Sequence, residues 1–221
     1  MFVDWSTYLP EYWAAIGETL FMVAIAGGLT LVLGLSIGTL LHISAPGSLT
    51  PHPVLYHALS TIVNLGRSIP FLILIVLLIP LTRILVGTSV GVFAAIVPLT
   101  IGFTPFFSRL VESALREVDE GRIEAAKTIG LTKWQIITRV LLPESFSGLL
   151  SAATIVLVGT VDGTAVAGAV GAGGIGDFAL LYGYQRFYPE LMLLAVLAMV
   201  IMVQAIQLTG DIWIRLRRHK R

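Results

Sequence analysis

The chain has 221 residues, 56% hydrophobic and 12% charged, against about 25% charged in a soluble domain, so it belongs in a bilayer and an ordinary soluble fold is excluded. A formal net charge of +1 excludes a broad nucleic-acid-binding surface. Cysteine is absent, which excludes a disulfide framework and a thiolate metal site.

In chain order, residues 1–17 contain no Lys or Arg and lack the basic n-region of a cleavable secretory signal. Phe2, Trp5, Tyr8, Tyr12 and Trp13 are spaced for a headgroup boundary, so an extracytoplasmic interfacial segment is expected there. The first membrane span is expected at 18–41, because the 23 residues from 19 to 41 carry no charge and about 20 helical residues cross a hydrocarbon core. A Pro/His/Ser/Gly stretch at 44–53 ends it. The second span is expected at 58–80. The third, at 84–108, contains Pro98 and Pro105 and is expected to be kinked or partly unwound. Spans four and five follow at 145–170 and 191–210. The fold class is therefore all-α with five transmembrane helices, a transmembrane domain over 18–214 and a basic tail at 215–221.

Of the 14 Lys and Arg residues, six lie from Arg109 to Arg139 and five in the tail. The positive-inside rule places both segments in the cytoplasm. An odd number of spans then puts the N-terminus outside and the C-terminus inside.

The cytoplasmic segment from Arg109 to Glu144 holds 12 of the 27 charged residues and reads as a helix-turn-helix outside the bilayer. Within it stand Glu124-Ala125-Ala126, three residues beginning with Lys127, Gly130, nine residues, and Val140-Leu141-Leu142-Pro143. Small alanines let a partner approach a helix closely, Gly130 allows a turn at positive φ, and Glu124 can pair with a partner's cation. Pro143 can open the next span without losing a helical hydrogen bond.

This pattern resembles the EAA motif of ABC importer permeases. The resemblance tightens over Asn64-Leu65-Gly66-Arg67-Ser68-Ile69-Pro70-Phe71, Val86-Gly87-Thr88-Ser89, Ala95-Ile96-Val97-Pro98-Leu99-Thr100 and the run from Gly168 to Gly176, which are similar to the methionine importer permeases. It implies a bacterial inner-membrane homodimer without catalytic residues or a metal of its own. Two ATP-binding subunits would supply ATP and Mg chemistry, and an extracytoplasmic binding lipoprotein would deliver D- or L-methionine or a related small amino acid. Glu124, Ala125, Ala126, Lys127, Gly130, Leu142 and Pro143 would then form the coupling loop that docks on the ATPase.

One stretch departs from the family. A Val-Gly-Tyr-Ser-Ala-Met-like run in span four is replaced by Val161-Asp162-Gly163-Thr164-Ala165-Val166. Asp162, Gly163, Thr164 and Val166 are the candidate residues of the translocation path or gate. An acid in mid-span costs about 2.5–3.5 kcal/mol on insertion scales, so Asp162 should face a cavity or a partner. Two alternatives stay open: a permease for a different small polar solute, and a proton-coupled secondary carrier using Asp162.

Other motifs point to less. Gly171-Ala172-Gly173-Gly174-Ile175-Gly176 matches GxGxxG, but that fingerprint works only between a strand and a helix. Here the glycines are expected to serve a tight loop or close helix contact. Arg67 is expected to snorkel to the interface. No Gly-Lys-Ser/Thr run is present, so ATP hydrolysis is expected on another chain.

Overall fold

The computed structural model describes residues 5–218, and every described element is helical. Residue 2 of the expected aromatic segment and residues 219–221 of the basic tail lie outside the described residues. Helix α1 (Trp5–Ser44) is one unbroken helix, so the expected interfacial segment continues directly into the first apolar run. Its buried residues recur every three or four positions, from Tyr12 through Thr19, Met22, Ala26, Thr30, Gly34 and Gly38 to Leu41. That is one face of an α-helix. The face packs on α5 (Val92–Arg116). A Cβ at Gly38 would fall 2.4 Å from the Ser108 carbonyl oxygen, so the two backbones meet with no room for a side chain.

The second apolar stretch is not one straight rod. Helices α2 (Pro53–Ser68) and α3 (Phe71–Leu77) are bent by 104° at the break between them. The cause is local: Ile69 sits at φ −84 and ψ 123, the extended conformation forced on a residue before proline. His52 caps α2 by accepting the Leu55 amide at its Nδ1 (3.1 Å). Helix α4 (Ile79–Val86) ends at Gly87 in the left-handed region. The third span's helix then starts at Val92 rather than 84, and α5 stays helical through Pro98 and Pro105. No unwound segment interrupts it; the hydroxyl of Thr104 bonds back to the Thr100 carbonyl (2.7 Å) beside the second proline.

After α5 come two short helices, α6 (Glu120–Thr128) and α7 (Lys133–Ile136). A π-helical turn (Ile137–Leu141) and the single turn α8 (Leu142–Glu144) lead into α9 (Phe146–Gly168). Helix α10 (Gly174–Phe178) and a π-helical segment (Ala179–Gln185) connect to α11 (Pro189–Arg218). Among the described residues, four helices are long and apolar enough to cross a membrane, and the bent α2–α3 pair makes five if it counts as one span. The core runs along the bundle in three apolar clusters, centred on Ile175, Leu191 and Tyr12; on Phe107, Val111 and Val156; and on Met22, Leu99 and Ala167.

Candidate functional site: a polar hairpin and an acid in an apolar helix

The polar segment after α5 is shaped by side-chain caps. Asp119 accepts the Arg122 amide (3.2 Å) and starts α6, with Glu120 in the first turn and Lys127 in the last. That order of charges suits the helix dipole. The chain turns at Gly130, whose φ is +81 and whose Cβ position is open space. Conformation, not crowding, therefore demands glycine here. Thr132 and Gln135 form a reciprocal capping box that opens α7. An Arg122–Glu144 ion pair (2.5 Å) ties α6 to α8.

The structure brings Glu124, Ala125, Ala126, Lys127 and Gly130 together on this hairpin. Ala126 is buried, whereas Glu124, Ala125, Lys127 and Gly130 are exposed. Leu142 is half-buried and Pro143 exposed where the loop rejoins the bundle. Two residues that the sequence reading missed stand on either side of the turn: Ile129, 76% exposed, and Trp134, 72% exposed. Their signal was positional, since both are large apolar residues flanking the glycine of a polar loop. Such residues anchor partners. A cleft of about 330 Å³, lined by His42, Ser48, Arg116, Glu120, Glu124 and Lys127 among others, separates α6 from the α1–α2 connection.

Helix α5 carries a second polar arrangement that sequence reasoning missed. Glu112 is 1% exposed and pairs with Arg109 (2.5 Å) and Arg116 (2.8 Å). Arg109 also donates to Ser60 Oγ (2.9 Å) and Asn64 Oδ1 (2.8 Å), both on α2. The C-terminal half of α5 is thereby clamped to the helix that leads into the 104° bend.

Asp162 sits on α9 and is exposed, while Val161, Gly163 and Thr164 beside it are buried and Val166 is half-buried. The Thr164 hydroxyl donates to the Val161 carbonyl (2.6 Å), so it is satisfied within its own helix. Among the described residues Asp162 makes no ion pair with Arg67, whose guanidinium lies 5.8 Å from the Phe106 ring centroid.

The family model for binding-protein-dependent transport system inner membrane components matches residues 32–219. The chain belongs to this family. It is 47% identical over 206 residues to a probable D-methionine transport system permease protein of Vibrio cholerae, covering 93% of this chain and 92% of that one. It is 44% identical over 204 residues to the methionine import system permease protein of Bacillus subtilis, covering 92% of each. A crystal form of the MetNI methionine ABC transporter in an inward-facing conformation contains a chain that matches with a TM-score of 0.94 at 44% identity, covering 97% of this chain and 99% of that one. An amino acid ABC transporter crystallised with histidines shares the fold at 20% identity, with a TM-score of 0.78, covering 97% of this chain and 99% of that one.

In this inner membrane component the connection after α9 is built from glycines rather than caps. Gly171, Gly173 and Gly174 all have positive φ. A Cβ on Gly168 would lie 2.4 Å from the Asp177 amide nitrogen. Helix α1 holds the loop in place: Glu18 accepts the Gly174 amide (2.7 Å) and Thr19 the Ile175 amide (2.9 Å). Burial pushes the Asp177 carboxyl above its ordinary value, and the nearby Glu18 charge adds to the shift. The GxGxxG match thus serves a tight return of the chain.

Proposed function

We propose that this chain is the membrane subunit of an ATP-driven importer for methionine or a related small amino acid, acting as a homodimer on two ATPase chains. The observation that carries the reading is the exposed hairpin around Gly130, on a chain that resembles methionine permeases along nearly its whole length. Glu124, Ala125, Ala126, Lys127, Gly130, Leu142 and Pro143 form the coupling surface, to which Ile129 and Trp134 add apolar anchors. ATP and Mg belong to the partner ATPase. When the ATPases close on ATP, the paired loops move together, and the Arg109–Glu112–Arg116 clamp carries that motion to α2.

The N-terminus is extracytoplasmic, residues 1–17 lie at the outer interface, the transmembrane domain covers 18–214, and the tail at 215–221 is cytoplasmic, as the basic-residue asymmetry supports. The site is the bacterial inner membrane, and a binding lipoprotein delivers the cargo from outside. Asp162 and Val166 line the path, with Gly163 and Thr164 buried behind them on α9.

The test is uptake of labelled methionine into proteoliposomes holding this chain, its ATPase and its binding protein. Uptake that needs ATP and all three components is expected. Uptake by this chain alone under a proton gradient would establish the secondary-carrier alternative instead.

A further inference from the structure

Asp162 is an acid in the C-terminal third of a 23-residue apolar helix, and its neighbours fix its direction. Val161 and Thr164 are each 1% exposed. A Cβ at Gly163 would fall 2.6 Å from Phe103 Cε2 and 2.9 Å from Leu99 Cδ2, so that side of α9 lies flush on α5. Asp162 consequently points off the bundle and, among the described residues, forms no ion pair. The surface around it differs from a lipid-facing one. Helix α11 exposes Leu193, Val196, Leu197, Val200, Ile201 and Leu208, all large aliphatics. The Asp162 face of α9 shows Ile155 (51% exposed), Val158, Ala165, Val166 and Ala169, so beside the acid it carries alanines where α11 carries leucines. An exposed carboxylate on an apolar membrane helix belongs against water rather than hydrocarbon.

We propose that Asp162 lines the aqueous path and recognises the ammonium group of the cargo, so that the importer selects amino acids with a free amine and rejects N-acylated, anionic forms. This rests on the importer reading above. In a two-fold homodimer every residue of the path occurs twice, so two carboxylates would face one narrow passage. In a low-dielectric surrounding their field attracts a cationic group and repels an anionic one. An ammonium donates charge-assisted hydrogen bonds to a carboxylate, whereas an N-acyl group cannot supply the charge. Binding by the amine leaves the side chain of the cargo free, so the acid selects a class of solute rather than one member.

Two measurements on the reconstituted complex decide the matter. The chain has no native cysteine, so Asp162→Cys gives a single reporter thiol on this subunit. It is expected to react with the charged reagent trimethylammonioethyl methanethiosulfonate, while Val200→Cys on α11 stays unreactive. An inert thiol at 162 would place the residue against lipid or a dry helix contact and overturn the proposal. Second, uptake of methionine is compared with that of N-acetylmethionine, and glutamine with N-acetylglutamine. Asp162→Asn should lower the preference for the free amine about tenfold, the order expected for losing a charge-assisted bond. An unchanged preference would overturn ammonium recognition while leaving the cargo reading intact. A complex that carries glutamine but not methionine would sink the methionine reading and leave the ratio measurable on glutamine.

Discussion

The polar segment of 109–144 and the glycine connection of 168–176 both turn the chain between long helices, and they do so by opposite means. In the first, side chains do the work: Asp119 caps α6, Thr132 and Gln135 cap α7, and Arg122 pairs with Glu144. Its turn glycine, Gly130, is surrounded by open space and is chosen for φ alone. In the second, backbone packs against backbone, and Gly168 and Gly176 have no room for a Cβ. The difference teaches where each region can yield. A loop built from caps with space around it can move as a lever on a partner, whereas a loop wedged into the bundle is part of the frame.

The largest effect should come from filling the frame. Gly168→Val drives a side chain into the Asp177 backbone, 2.4 Å from its amide nitrogen at the Cβ alone, and should destabilise the chain by about 3 kcal/mol. A thermal midpoint in detergent equal to that of the native chain would break the comparison. Removing one partner of the α5 clamp comes next. Glu112→Gln should cost about 2 kcal/mol, less than the roughly 3–5 kcal/mol of a fully buried pair, because Arg116 is 66% exposed and Arg109 23%. The same thermal assay reads it, and no shift would mean that the clamp is not a packing element.

Gly130→Val tests the lever. A β-branched residue at φ +81 is strained by about 1–3 kcal/mol, but the strain is confined to an exposed turn. The variant should insert with a nearly native thermal midpoint and lose ATP-driven uptake. Full uptake would remove Gly130 from the coupling surface. The smallest effect is expected from pH. The Asp177 carboxyl titrates above its ordinary value, so the folded state favours its protonated form. Its contribution is fully present below the ordinary carboxylate pKa and is lost as pH rises through the raised one. The glycine connection should therefore protect its amides from hydrogen exchange slightly better in mild acid, and Asp177→Asn should abolish that difference.

Much of this was legible in the sequence because it depends on runs and spacings. Uncharged stretches located the apolar helices, and Glu124-Ala125-Ala126 with Gly130 located the hairpin. What was not legible depends on which side chains meet across helices. The bend before Pro70 follows from a local rule, yet its 104° angle depends on how α3 settles on α5. Glu112 looked like one more charge in a polar segment, and only the fold shows it buried between two arginines and next to α2. Ile129 and Trp134 could have been core residues by composition; their exposure needed the structure. The approach of the Arg67 guanidinium to the Phe106 ring is likewise a contact between helices that spacing does not show.

The central claim is that the hairpin around Gly130 docks on an ATPase chain. The chain's lack of cysteine makes this directly measurable with Ala125→Cys, placed at an exposed position of α6. In membranes containing the assembled transporter, a short bifunctional thiol-to-amine crosslinker should join this residue to the ATPase chain. The yield should change between nucleotide-free and ATP-trapped states. Absence of any crosslink to the ATPase in both states, with the complex still co-purifying, would contradict the account.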